Sequence, residues 1–529
     1  MKPIIASEAC LEAGLDFSEV FKWQYAATDR PEVSFPMDSF EVGTWTVFAG
    51  KGLPVARLQD QAGNPIGVLL GIGAGPSGLV SGRQVLETRS DSASFFQDIE
   101  QWVRSLAGRY TLFVTAGETI RVYCDAVGMN GCVYNPKLRM VAASPLLCLD
   151  RAVSQHPMYP ATQVESGGKF SFFHTSDPDV RRCNPSCYLD LSDLSEHRFW
   201  PPDEAFSASA AELTGIYDQL QERTKFIVES VCAAFPVAVP VSGGQDSRLL
   251  LALAGSGIRK VDAFFTHIHN YAGRIDATIA SDIARRLQVS HQVIDRRKTS
   301  TPADVIEDTI KGFRIACGYT AQPWREMEAG LLQDVPEGHV VMRGHQTDVL
   351  RAVFIDRPGR RPRNNPKWQI RRLKIVPYKQ FDEQLYQRFL PLYQSWTEGV
   401  PPQARDHLVD LMFLEIYYGS TIGCTFPAVS HAFFMSPFNS RELIELCLKI
   451  PEGYRRRSAA VFDCIHRFNP ALAEVPYDFE FTAKNGLDTL DKIYDLSRVK
   501  EATRPRLEST QSRYDTLLKR RKLTWADLD

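Results

Sequence analysis

Residues 237–254 read VAVPVSGGQDSRLLLALA: an apolar, β-branched opening, two glycines set among hydroxyl and acidic side chains, and a leucine-rich run. The opening predicts a buried strand over 237–241, and the run predicts a helix over about 247–253. Between them Gly243 and Gly244 allow backbone N–H groups to approach an oxyanion closely. Ser242 and Ser247 add hydroxyl donors, and the start of the helix adds partial positive charge. Those are the parts of a phosphate cradle. An acid inside such a cradle would repel phosphate, so Asp246 is expected to act as a Mg²⁺ ligand. The bland alternative is a glycine turn capped by Asp or Ser; the strand, loop and helix in that order argue against it.

Working outward, a long helix over about 205–233 precedes this segment. A strand over 261–266, a helix over about 276–287 and a strand over 292–294 follow it. The β-α-β-α-β succession predicts a parallel, doubly wound sheet, whose ligands sit at the carboxyl ends of its strands. Residues 403–448 read as mostly helical, a lobe expected to close over that site. Upstream the texture differs. Strand-like stretches at 44–48 and 66–70, a helical period over 95–106 and strands at 110–114, 120–124 and 140–143 predict an α+β domain with antiparallel strands. A Pro- and Ser-rich stretch ends in Phe199, Trp200, Pro201 and Pro202, and the boundary is placed near Pro201.

The chain has 529 residues, 44% of them hydrophobic and 23% charged, with 61 Lys+Arg against 63 Asp+Glu for a formal net charge of -2. That is the composition of a folded globular protein. So balanced a charge gives no global attraction to nucleic acid or to an anionic membrane, and neither is expected as a partner. The 11 cysteines include no CxxC pair, which predicts reduced, buried thiols in a cytoplasmic protein rather than a zinc site. Glu8, Glu12 and Asp16 interrupt the apolar stretch that a secretory signal would need. Between 351 and 374, Arg351, Arg357 and seven further Lys or Arg face the single acid Asp356. Such a run reads as a solvated surface, with a docking strip for an acidic partner as the functional alternative.

The SGGQDS loop, preceded by Val239, Pro240 and Val241, resembles the pyrophosphatase loop of the asparagine synthetase-like ATP ligases, whose usual form is SGGxDS. Gly344, with Asp348 four residues on, resembles the family's second acidic loop. Ser436, Pro437 and Phe438 are similar to its R-x-P-F stretch, with Met435 in the Arg position, and Lys484, Asn485 and Gly486 resemble its K-x-G. The resemblance implies ATP and Mg²⁺ as cofactors. It places ATP phosphates on Ser242, Gly243, Gly244, Asp246 and Ser247, Mg²⁺ on Asp246 and Asp348, and transition-state stabilisation on Lys484. Arg248 stands where a small hydroxyl residue is common; it is expected to reach a substrate carboxylate or phosphate, or to close a salt bridge. Asp276 is expected to cap its helix.

More weakly, residues 106–114 (LAGRYTLFV), the stretch from Asp125 to Tyr134, Ala143 with Ser144, and the exit at 198–201 resemble the family's glutaminase-type N-terminal nucleophile domain. Glutamine-dependent members carry a nucleophilic Cys as second residue. Here Lys2 stands there, so glutaminase activity is expected to be absent. The implied fold is a two-domain α/β and α+β chain. Residues 1–200 form a degenerate glutaminase-like αββα sandwich, and residues 201–529 form a PP-loop parallel sheet of adenine-nucleotide α-hydrolase type with its helical lobe. β-Lactam synthetases and lasso-peptide cyclases share the missing Cys. His345, three residues before Asp348, is similar to the G-H-x-x-D form of the cyclases, where β-lactam-forming members have a Tyr base. An ordinary histidine pKa near neutrality suits general-base work. Glu415 is the nearest candidate for its acid partner, although it reads as a solvated helix residue.

The function implied is ATP-dependent amide formation: adenylation of a carboxylate with release of pyrophosphate, then transfer of the acyl group to an amine, closing a lactam or macrolactam. The expected partners are a small-molecule or peptide carboxylate and amine, with a precursor peptide or maturation protein as a further partner. Rival readings are an adenylating enzyme of tRNA or sulfur-transfer chemistry, an ammonia-dependent amidotransferase acting on a small acid, and a catalytically dead scaffold. The scaffold reading requires loss of the Mg²⁺ acids, and both are present.

Overall fold

The structure, a computed structural model, describes residues 5–163, 169–269, 271–355, 365–376, 380–456 and 458–478. Period-two burial builds the first half. In strand Ala107–Ala116, Phe113 enters one core while Tyr110, Leu112 and Val114 enter another. In strand Thr119–Cys124, Ile120, Val122 and Cys124 take the first core and Tyr123 the second. Such alternation belongs to a sheet covered on both faces. Helix Phe95–Ser105 covers one face with Phe95, Ile99 and Val103, spaced four residues apart. A second antiparallel sheet covers the other, and its Tyr25 ring meets Phe113 edge-on at 5.9 Å. Among the described residues the two sheets have eight and six strands. Helix Ile5–Ala13 packs on the turn Pro145–Cys148 and on helix Ala303–Ala316 of the second half.

The second half is organised by five parallel strands. Their order across the sheet is Gln292–Asp295, Ala263–Ile268, Val237–Pro240, Val340–Met342, Phe433–Met435. Taken in chain order this is 3-2-1-4-5, so the winding reverses between Val237–Pro240 and Val340–Met342. A crevice opens at such a switch point, outside the carboxyl ends of the two strands. The parallel sheet expected over 237–295 is present, with two further strands. One of these corrects the sequence reading of 403–448. That stretch is not a helical lobe throughout: it contains the edge strand Phe433–Met435, and its first helices are short, among them Leu408–Leu411, Ile422–Thr425 and the π-helix Met412–Tyr417. Three residues of strand are too few to show a period. The long helix also starts later than expected, at Leu213, because Ser209 and Glu212 form a capping box ahead of it.

One core runs through both halves, and buried cations stitch the seam. Arg109 donates to the carbonyls of Phe426 and Phe434, both at 3.3 Å. Arg441 donates to the carbonyls of Cys124 and Pro185, at 3.0 and 2.6 Å. Arg198 grips Glu415 with two hydrogen bonds, at 2.7 and 2.9 Å. All eleven cysteines are free thiols. The fold nevertheless brings Cys183 to Cys124 and Cys132 until the three sulfurs lie within 4.8 Å of one another in the core. Among the described residues no helix is long and apolar enough to cross a membrane.

Candidate functional site

The first loop leaves strand Val237–Pro240 and turns into helix Gln245–Ala254. Gly243 has no room for a side chain: a Cβ there would lie 2.7 Å from Ile279 Cδ1 and 3.1 Å from Asp276 Oδ1. Its N–H donates to Asp276 Oδ1 at 2.7 Å. Asp276 is therefore not the helix cap expected from the sequence; it sits within helix Tyr271–Leu287 and braces the loop. Ser247 Oγ accepts the Ser242 N–H at 3.1 Å, and Ser242 Oγ accepts the Gly244 N–H at 3.3 Å, so the hydroxyls also hold the turn. No side chain caps the helix, which leaves the positive end of its dipole open to an anion.

Strand Val340–Met342 delivers the second loop. Gly344 passes so near the first that a Cβ would stand 2.5 Å from the Asp246 carbonyl oxygen. This close approach sets Asp348 opposite Asp246. Thr347 Oγ1 donates to Asp246 Oδ1 at 2.8 Å. The Tyr418 hydroxyl donates to Asp348 Oδ2 at 2.7 Å and accepts the Gln346 N–H at 3.0 Å. Gln346 takes a left-handed φ of 67°, a conformation unusual outside glycine and common where a site imposes it. Gly344→Ala should force the two loops apart and lower the free energy of unfolding by about 1–3 kcal/mol, the cost of overpacking a tight contact, read by urea unfolding.

One guanidinium nitrogen, Arg351 Nη2, donates to Asp246 Oδ2 at 2.8 Å and also to Asp348. The two carboxylates therefore converge on a single point, and the cation that stands there is protein. Burial and the neighbouring Asp348 push the Asp246 pKa up to about 6, against the pull of Arg351. Two acids so placed need positive charge between them. Oxygen donors aimed at one position are what a hard divalent ion such as Mg²⁺ takes, so the residues fit that ion, with Arg351 displaced. Arg351 heads the basic run read from the sequence as a solvated strip, and here that reading is corrected. Elsewhere in the run Arg372 donates to the carbonyls of Val353 and Phe354, and Lys367 pairs with Glu383; Arg357, Arg360, Arg361 and Arg363 lie outside the described residues.

His345 and Asp348 line a crevice of about 320 Å³ together with Ser242, Asp246, Ser247 and Asp276. Ser436 Oγ donates to the His345 carbonyl at 2.8 Å, and the imidazole meets Phe426 edge-on at 5.4 Å. Burial, with Arg343 adding to it, pushes the His345 pKa down to about 3. The ring is a neutral imidazole and does not titrate near neutrality as the sequence reading has it. It becomes an effective base only where an anion beside it raises that value. Among the described residues His345 Nδ1 and His267 Nε2, both on the crevice wall, are buried without a hydrogen-bond partner. Orphaned polar atoms gathered in one place mark a site that a ligand completes.

Two further expectations change. Arg248 does not reach toward a ligand: it is fully buried, donates to the carbonyls of Leu472, Val475 and Pro476, and lies 3.7 Å from the Tyr477 ring centroid. It fastens the segment 472–477 beneath the loop. Glu415 is not solvated but fully buried, its oxygens occupied by Arg198, Trp396, Ser186 and Asn184, so it is no acid partner for His345. Lys484 and its K-x-G lie outside the described residues, as does Lys2. The last described residue, Asp478, donates its N–H to the Gly243 carbonyl at 3.1 Å. The sequence reading missed Arg351, Thr347 and Tyr418; the i, i+3 spacing of Asp348 and Arg351 was the available signal for the first.

No protein-family model matches the chain, and no curated protein matches it significantly. Among solved structures it is similar to a glutamine-dependent NAD⁺ synthetase from Acinetobacter baumannii in complex with ADP, at 17% identity and a TM-score of 0.17, over 46% of this chain and 46% of that one. The match thus spans less than half the length of that protein. A superposition so loose carries no argument about function, which rests on the site itself.

Proposed function

We propose that the protein is an ATP-dependent, AMP-forming carbon–nitrogen ligase of the asparagine synthetase-like kind. The observation that carries this reading is the convergence of Asp246 and Asp348 on one cation position, beside an uncapped helix start at the switch point of a parallel sheet. ATP phosphates lie on the Ser242–Gly243–Gly244 turn and Ser247, where backbone N–H groups, hydroxyls and the helix end meet negative charge. Asp246 and Asp348 would hold Mg²⁺, which would supply charge neutralisation for the pyrophosphate.

A substrate carboxylate oxygen attacks the α-phosphorus, the bond to pyrophosphate breaks, and an acyl-adenylate forms. An amine nitrogen then attacks the acyl carbon and AMP leaves with the C–O bond electrons. His345, its basicity raised by the phosphates beside it, takes the proton from the amine, and Lys484 steadies the charge on the acyl oxygen. In this reading the amide closes a lactam or macrolactam of a natural product or peptide. The test is trapping with hydroxylamine. With Mg²⁺, ATP and pools of small acids or peptides, hydroxamate and AMP should form in equal amounts, and the active pool names the substrate class. Turnover that gives ADP and no hydroxamate would sink the reading.

A further inference from the structure

A second cavity, of about 270 Å³, adjoins the crevice and shares Arg343 and His345 with it. The two cavities therefore meet at these two side chains. Among the described residues on its wall, Lys169 and Arg343 are the basic side chains of lysine or arginine type, and none is a carboxylate. Among the described residues neither forms an ion pair. The Glu326 carboxylate offsets part of the desolvation of Arg343, whereas the group whose charge favours the Lys169 ammonium is the thiol of Cys424. Burial holds the Lys169 pKa down to about 8, which leaves a cation at neutral pH. A half-buried cation without a counter-charge is costly, and an anionic ligand offsets that cost.

Lys169 is also held in place. Gln163 Nε2 donates to the Lys169 carbonyl at 2.9 Å and to the Ile375 carbonyl of the second half at 3.0 Å, and the ammonium lies 3.9 Å from the Tyr417 ring centroid. The neutral wall has a polarity of its own. Ser420, Thr421 and Thr425 spend their hydroxyl protons on carbonyls one turn back in the chain. With those protons spent, the hydroxyl oxygens can act toward a ligand as acceptors for N–H groups. Trp324 and Phe426 close the cavity with aromatic surface.

We propose that this cavity binds the part of the substrate that bears an anionic group besides the reacting carboxylate, with Lys169 of the first half as its counter-ion. The substrate class is a carboxylate that carries a second carboxylate, or an equivalent anion, at a distance. The assignment of the reacting end rests on the ligase reading; the anion site stands on the cavity alone. The first half then contributes to specificity and is not only a scaffold.

The test is calorimetric titration of the full chain with the straight-chain dicarboxylates from malonate to adipate, against butyrate. At least one dicarboxylate should bind the wild type about tenfold or more tighter than butyrate, the scale of a charge-assisted hydrogen bond. Lys169→Met and Lys169→Gln should erase that preference, and Lys169→Arg should retain it, with thermal unfolding midpoints near that of the wild type. No preference in the wild type, or a preference that survives in a folded Met or Gln variant, overturns the proposal. A preference that depends on Lys169 in a protein that makes no AMP would keep the anion site and discard the ligase reading.

Discussion

Glu415→Ala should lower the free energy of unfolding by about 3–5 kcal/mol, the cost of leaving one member of a buried ion pair alone. Its carboxylate accepts two hydrogen bonds from Arg198 at 2.7 and 2.9 Å, and one each from Trp396 at 2.8 Å, Ser186 at 2.7 Å and Asn184 at 3.1 Å. Three of these four residues belong to the first half, so the truncation strands donors across the seam. Burial alone would raise the Glu415 pKa, but Arg198 and the neutral donors outweigh it and hold the group below the usual carboxylate range. The sign of the pH effect follows. The stabilisation is complete above the ordinary glutamate pKa and is lost as pH falls through the lower native value. Urea unfolding at pH 7 should show the full difference between wild type and variant, and it should shrink in acid. A difference below about 1 kcal/mol at pH 7 would mean that the pair does not hold the halves together.

Asp348→Asn should reduce AMP formation by roughly 10³-fold, or about 4 kcal/mol of transition-state stabilisation, the scale on which a divalent ion acts. Stability should move little or improve. Asp348 is one of the two causes that raise the Asp246 pKa, so its loss relieves repulsion in the ion-free protein while Arg351 still pairs with Asp246. Loss of turnover without loss of stability separates a ligand role from a structural one. Steady-state pyrophosphate release and urea unfolding on the same preparation decide it; activity within tenfold of the wild type would remove Asp348 from the metal site.

What the sequence made legible is what its chemistry states locally. The turn at 242–247 was readable because glycines, hydroxyls and an acid between an apolar strand and a leucine-rich helix leave few other meanings, and the elements appear as Val237–Pro240 and Gln245–Ala254. Gly344 and Asp348 were legible through the resemblance of their loop to the second acidic loop of a known family, and the structure gives the reason for the glycine in the contact with the Asp246 carbonyl. Groups defined by distant partners were not readable. Glu415 looks solvated until Arg198, 217 residues away, is placed beside it. Arg351 looks like the first of a basic run until Asp348 on its own turn and Asp246 at the start of helix Gln245–Ala254 close on it. Lys169 lies in the half read as a degenerate glutaminase-like domain, and only the fold brings it to the cavity beside His345. Arg248 shows the opposite error: its position in the loop motif suggested a ligand, and its burial under Tyr477 gives it a packing role.

The central claim is that Asp246 and Asp348 serve cleavage of ATP between its α- and β-phosphates. It is tested most directly by incubating the purified protein with Mg²⁺, α-labelled ATP and the active substrate pool, beside Asp246→Ala and Asp348→Ala. The account predicts labelled AMP from the wild type and none above background from either variant. Labelled ADP, or AMP formation that persists in both variants, would contradict it.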